Sequence, residues 1–159
     1  MEAGYGARAV ERAAELAMHF ERGRDAARAV PYQQQAATNA LGRYAYAQAI
    51  AHCTRGLELL QNLPDTPARA QQELGLQLAL AAALMTTQGH SAPAVERAYA
   101  HAYALCEQTG DTAALFSALW GLWRIALNRP ALARAREVGE QLLTVVRIPA
   151  IVNTAIAPS

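Results

Sequence analysis

Lysine is absent from this chain: all fourteen of its basic residues are arginine. A phosphate-loop lysine, a Schiff-base lysine and a Ser–Lys dyad are therefore excluded. Aromatic residues make up only 6% of the sequence. The runs of Val, Ile and Thr that a sheet needs are missing, except in roughly the last fifteen residues. Cysteine occurs twice, at Cys53 and Cys106, without Cys-x-x-Cys spacing, so each reads as a small buried hydrophobe in a reducing compartment. No apolar run is long enough to span a bilayer. The longest, LGLQLALAAALM, is interrupted by Gln77 and falls short of about 20 residues. The N-terminal MEAGYGARAVERAAELAMHF is charged throughout and lacks the apolar centre of a signal peptide. A cytoplasmic location away from membranes is expected. No sign of charge dominates either: the net charge is +1 and the arginines are scattered from Arg8 to Arg147 among Glu and Asp. No basic stripe suited to nucleic acid results.

What is present is Ala and Leu, which carry most of a hydrophobic content of 53%. Both lose little freedom in a helix, so the expected class is all-α, and 159 residues suffice for one domain with a real core. Helix breakers recur at Gly23, Gly42, LPDTP, GHSAP, TGDT, NRP and Pro149. They predict seven helices, near 8–22, 25–41, 45–62, 67–88, 93–109, 112–127 and 131–147. Thr66 or Asp65 can cap a helix starting at Pro67, Ser91 precedes Pro93, and Asp111 follows Gly110. Gly89 and Gly110 suit helix ends, and Pro31 either sits in the first turn of the second helix or kinks it.

The helices also repeat. Ala49, Ile50, Cys53, Gly56, Leu57 and Leu59 fall at small-large-x-x-large-x-x-small-large-x-large spacing. Looser copies follow with Val95, Tyr99, Ala102, Tyr103 and Leu105, and with Ala135, Gly139, Leu142 and Leu143. Preceding helices carry a partner pattern, Leu78, Ala81, Ala82 and Met85 in one and Leu119, Leu122, Trp123 and Ala126 in another. This pattern resembles the tetratricopeptide repeat, in stretched form, and implies antiparallel hairpins stacked in a right-handed superhelix. Over roughly residues 7 to 145, the segments ELAMHFERGRDAARAVPYQQQAATNAL, AIAHCTRGLELLQNLPDTPARAQQELGLQLALAAALM, GHSAPAVERAYAHAYALCEQTGD and FSALWGLWR are similar to the helical-repeat region of large bacterial STAND/AAA-type signalling ATPases. Such proteins often carry class III adenylate or guanylate cyclase or LuxR-type output domains. The resemblance implies a non-catalytic interaction or regulatory scaffold within such a protein, since no ATPase or cyclase motif is present. A metabolite or nucleotide sensor binding in the concave groove is the alternative, and a structural spacer between ATPase and output domains is a third. The repeat domain is expected over 1–147, followed by an irregular tail over 148–159, where RIPAIVNTAIAPS holds one charge and two prolines.

No catalytic, cofactor or metal site is expected. His101 and Cys106 are five apart on one helix, His52 and Cys53 point apart, and the paired carboxylates Glu11/Glu15 and Glu137/Glu140 lie beside arginines on charged faces. Binding, if any, is expected in the groove lined by the first helices of successive pairs. Its candidates are Gln77, Thr86 and Gln88 on one helix and Ser117, Trp120, Arg124 and Asn128 on another. Trp123 is expected in the core and Trp120 at a rim, with Gly121 letting another helix come close. A protein or peptide partner is expected, as is self-association through terminal helices that nothing caps.

Overall fold

The computed structural model describes the backbone of residues 2–128 and 132–156, and the side chains of 8, 12–128 and 133–147. Among these residues the chain is all helical: α1 (Glu2–Arg22), α2 (Ala26–Gly42), α3 (Tyr46–Leu60), α4 (Pro67–Gln88), α5 (Pro93–Thr109), α6 (Thr112–Leu127) and α7 (Leu132–Ile156).

Local chemistry sets the starts and stops. The Asp25, Thr66 and Asp111 side chains accept from the amides of Arg28 (3.1 Å), Arg69 (3.2 Å) and Ala114 (2.9 Å), each satisfying one amide donor that the first helical turn leaves free. Of the two candidate caps before Pro67, Thr66 is the one used. Ser91 caps nothing, because Ala92 holds the position before Pro93. Gly110 ends α5 in the left-handed conformation at φ 69°, ψ 17°. Pro31 lies inside α2, one turn beyond the first, so its missing amide falls where the helix is already under way. The tail differs most from expectation. α7 continues past Pro149 to Ile156, where an irregular segment from 148 was expected. Proline in a helix interior costs about 3 kcal/mol, but an existing helix of several turns extends without a new nucleus.

Helices pack in chain order, each against the next, and the even-numbered helices also meet: α2 with α4, and α4 with α6. Among the described residues no other pair of helix backbones comes this close. Small residues permit this closeness. A Cβ on Gly56 of α3 would lie 2.9 Å from Leu76 of α4, and one on Gly121 of α6 would fall on the Tyr99 ring of α5. The core runs through the stack as linked clusters of Ala, Leu and Val, with Leu60, Leu74, Leu76 and Leu119 among the largest fully buried side chains. Cys53 and Cys106 are buried free thiols, and burial pushes Cys53 up to about 12. A thiol in that state is no nucleophile.

One polar network links the first three helices at the edge of the apolar core. Gln33 of α2, 5% exposed, donates from Nε2 to Glu21 of α1 (2.5 Å) and accepts at Oε1 from His52 Nδ1 of α3 (2.7 Å). Arg55 of α3 donates to Glu21 as well, at 2.8 Å. Three helices are thus tied through one buried amide that both donates and accepts, as burial of a polar group requires.

Candidate functional site

Apart from the Glu21–Gln33–His52–Arg55 network, the chemistry-bearing side chains among the described residues meet only in pairs. Among the described residues no group of three or more His, Cys, Asp or Glu could hold a metal ion. His101 bonds Glu73 across α4 and α5 at 2.8 Å, and the carboxylates Glu137 and Glu140 pair with Arg134 and Arg136 on the exposed side of α7. Glu11 lies outside the described side chains.

Surface relief gathers instead around α6. Its turns set Phe116, Trp120 and Trp123 in a row, with ring centroids 6.2 Å apart between the first two (stacked) and 5.1 Å between the tryptophans. Two grooves flank this row. The inner one, about 390 Å³, lies between α4 and α6 and is lined by Leu78, Ala79, Ala82, Tyr99, Phe116, Ser117 and Trp120. The outer one, about 540 Å³, lies between α6 and α7, with Trp123, Gly139, Leu142, Leu143 and Val146 joining Phe116 and Trp120. Among the described residues its charged lining consists of Arg136 and Glu140, paired at 3.2 Å.

The expected groove residues are only partly brought together. Ser117 and Trp120 line the inner groove, and the Ser117 hydroxyl donates to the Ala113 carbonyl (3.3 Å). Arg124 stands one turn beyond Trp120 and meets His90 Nε2 at 2.8 Å, while Asn128 donates back to the Arg124 carbonyl at 2.7 Å. Gln77 is half-buried, and Thr86 and Gln88 are exposed near the end of α4, Thr86 donating to the Ala82 carbonyl. None of these three lines the inner groove.

The tryptophans meet expectation in part. Trp123 is half-buried: it packs against the core cluster of Leu119, Val138 and Leu142 and close to Gly139 of α7, as expected, but it also lines the outer groove, where its ring touches that of Trp120. The reason is the step of three residues along one helix, which leaves two long side chains on neighbouring faces and within reach. Tyr99, by contrast, is buried against Gly121, and its hydroxyl is raised above the ordinary tyrosine range by burial, with Arg124 opposing.

The outer groove was missed in the sequence, although a signal for it is there. Ala113, Phe116, Trp120, Trp123 and Leu127 alternate in steps of three and four, as do Gly139, Leu143 and Val146 on α7. Such steps keep residues on one helix face. Compared with protein-family models, curated proteins and solved structures, the chain matches none.

Proposed function

We propose that this chain is a non-catalytic protein-interaction segment, a right-handed stack of three tetratricopeptide-like hairpins (α2–α3, α4–α5, α6–α7) preceded by α1. The order of packing supports that reading. Among the described residues the backbones of successive even-numbered helices come close to each other, whereas odd-numbered helices meet only through the Arg55–Glu21 side-chain pair, as expected when first helices line the inside of a solenoid. The sequence resemblance adds a setting, the regulatory repeat region of a bacterial signal-transduction ATPase.

The observation that carries the interaction reading is the exposed aromatic row bordering the inner groove, with Arg124 one turn away. Aromatic and arginine side chains are the residues on which interfaces most often anchor. The inner groove accordingly takes an extended peptide that places an apolar side chain against Ala82 and Trp120 and a carboxylate near Arg124. Titrating a panel of such peptides while following tryptophan emission tests this. A saturable blue shift is expected, lost in Trp120→Ala and weakened about tenfold or more in Arg124→Ala. Absence of any saturable response across the panel would refute the peptide-groove reading. A panel of metabolites and nucleotides in the same assay serves as its comparison, and a response confined to those would move the reading to a small-ligand sensor.

A further inference from the structure

Five of the seven large hydrophobic side chains exposed among the described residues lie on α6 and α7: Phe116, Trp120, Leu127, Leu143 and Val146. They do not form a random scatter. On α6 they occupy the 113, 116, 120, 123, 127 series, and on α7 the 139, 143, 146 series, which Arg136 extends by one step. Alternating steps of three and four are the seam by which one helix packs along another at a shallow angle. Two adjacent helices therefore present parallel seams with a groove between them.

That groove is also long. The outer cavity adjoins a second one lined by Thr112, Ala113, Phe116, Val145 and Val146. Together they follow α6 from Thr112 to Trp123, about 16 Å at 1.5 Å per residue. A trough of three helical turns fits a helix better than a compact small molecule.

The stack itself shows what covers such faces. Leu57 of α3 and Tyr103 of α5 hold the same place in the repeated spacing as Leu143 of α7. Leu57 is half-buried in the cluster that contains Leu76 of α4, and Tyr103 in the clusters that contain Ala118 and Leu119 of α6. Leu143 is 55% exposed. Helices of this chain are thus what lie over the equivalent faces, and α6 and α7 carry seams of the required kind.

We propose that the α6/α7 face pairs with the same face of a second copy of this chain about a two-fold axis, making a four-helix interface. Two-fold pairing is the commonest closed arrangement, and it needs a surface complementary to itself. This face meets the requirement. Its walls are apolar, as homodimer interfaces tend to be. Its two lining charges, Arg136 and Glu140, are opposite in sign and one turn apart, so a two-fold can set each against its opposite. A face with one sign of charge would repel its copy. The pairing is separate from peptide binding in the inner groove, although Trp120 borders both.

Sedimentation velocity from about 1 to about 200 µM tests the proposal, since an association equilibrium shifts with protomer concentration. A reversible monomer–dimer equilibrium is expected. Leu143→Glu and Val146→Glu should each weaken it at least about tenfold, a carboxylate on the seam being buried without a partner. Tyr44→Glu, at an exposed site in the α2–α3 connection, should leave it unchanged. In the unaltered chain, tryptophan emission should shift to the red on dilution with the same midpoint as the mass change, because Trp120 becomes hydrated. That measurement decides the matter should circular dichroism show that a variant has lost its helices. A monomer throughout the range, a dimer indifferent to both seam variants, or an emission that does not follow the mass would each overturn the pairing. A monomer that still binds peptides would do so while leaving the interaction reading standing, and a dimer that binds none would do the reverse.

Discussion

Gly121→Ala is the substitution for which two large effects oppose each other most directly. Alanine in a helix interior is favoured over glycine by about 1 kcal/mol, so on propensity alone α6 would gain. Yet Gly121 is buried, and a Cβ built there falls on three atoms of the Tyr99 ring, Cε1, Cζ and Cδ1. The ring is rigid, 8% exposed, and shares a cluster with Met85, Val95 and Ile125 that leaves it little room to swing away. Inserting a methyl into such a place costs about 1–3 kcal/mol, and a planar obstacle held from behind puts the cost near the upper end. A net loss of about 1–2 kcal/mol follows, or about 2–8 °C in Tm at 2–4 °C per kcal/mol for a chain of this size. Urea unfolding followed by circular dichroism measures it. Gly75→Ala is the comparison. There the obstacle is the Nε2 end of Gln34, a flexible amide that can rotate aside, so the propensity gain survives and stability rises by about 0.5–1 kcal/mol. Removing the ring should also remove the penalty, so Gly121→Ala in a Tyr99→Ala background should cost at least about 1 kcal/mol less than in the native one. Finding Gly121→Ala as stable as the native chain would refute the close α5–α6 crossing described here.

Two further outcomes follow from single sites. Burial holds His52 below the ordinary histidine range, with Glu21 opposing. The folded state therefore binds fewer protons than the unfolded chain once pH falls below about 6.5, the unfolded value. Stability is at its full value above that pH and declines as pH drops from there toward the folded pKa. His52→Gln should flatten this limb in urea titrations between about pH 7 and pH 5, and an unchanged slope would refute the assignment. Tyr44 adopts φ 60° in the α2–α3 connection while its side chain is 78% exposed. The left-handed region costs a residue with a Cβ about 1–2 kcal/mol, against about 0.5 kcal/mol from the edge contact with Tyr46. Tyr44→Gly should therefore raise stability by about 0.5–1 kcal/mol in thermal unfolding, and a loss would argue against that backbone conformation.

The elements were legible because punctuation and period agreed. Gly110 and Asp111, or Thr66 and Pro67, mark a boundary by local chemistry that needs no tertiary information, and the helices from 67 to 127 begin and end where those residues say. Position 149 was misread for the opposite reason. A proline tells of a local cost, whereas the continuation of α7 depends on the helix already built before it. The candidate groove residues were only partly brought together. Trp120 and Arg124 were found as exposed neighbours, because spacing alone puts them on one side of α6. Gln77, Thr86 and Gln88 do not line the inner groove, since which stretch of a long helix borders a groove depends on how the next helix crosses it. Nor does spacing say whether a second apolar stripe is covered, and that question decides the fate of Phe116, Leu143 and Val146.

The composition of α6 bears on that last point. α4 meets four other helices, α2, α3, α5 and α6, and is accordingly apolar around its whole girth, with LGLQLALAAALM at its centre. α2 meets three among the described residues, and its sequence keeps Gln35, Thr38 and Asn39 together on a side that solvent or its own polar contacts can satisfy. α6 also meets three, α4, α5 and α7, yet its sequence TAALFSALWGLWRIAL is of the α4 kind, with Arg124 its single charge. A helix composed for four neighbours that has three among the described residues leaves an apolar stripe in water, at a cost of about 25 cal/mol for every Å² of it. Exposed apolar patches of this sort mark association surfaces. The mismatch between the composition of α6 and its surroundings is the strongest physical reason to look for a covering helix on the Phe116–Trp120 side, and sedimentation of the Leu143→Glu variant is where its absence would be seen first.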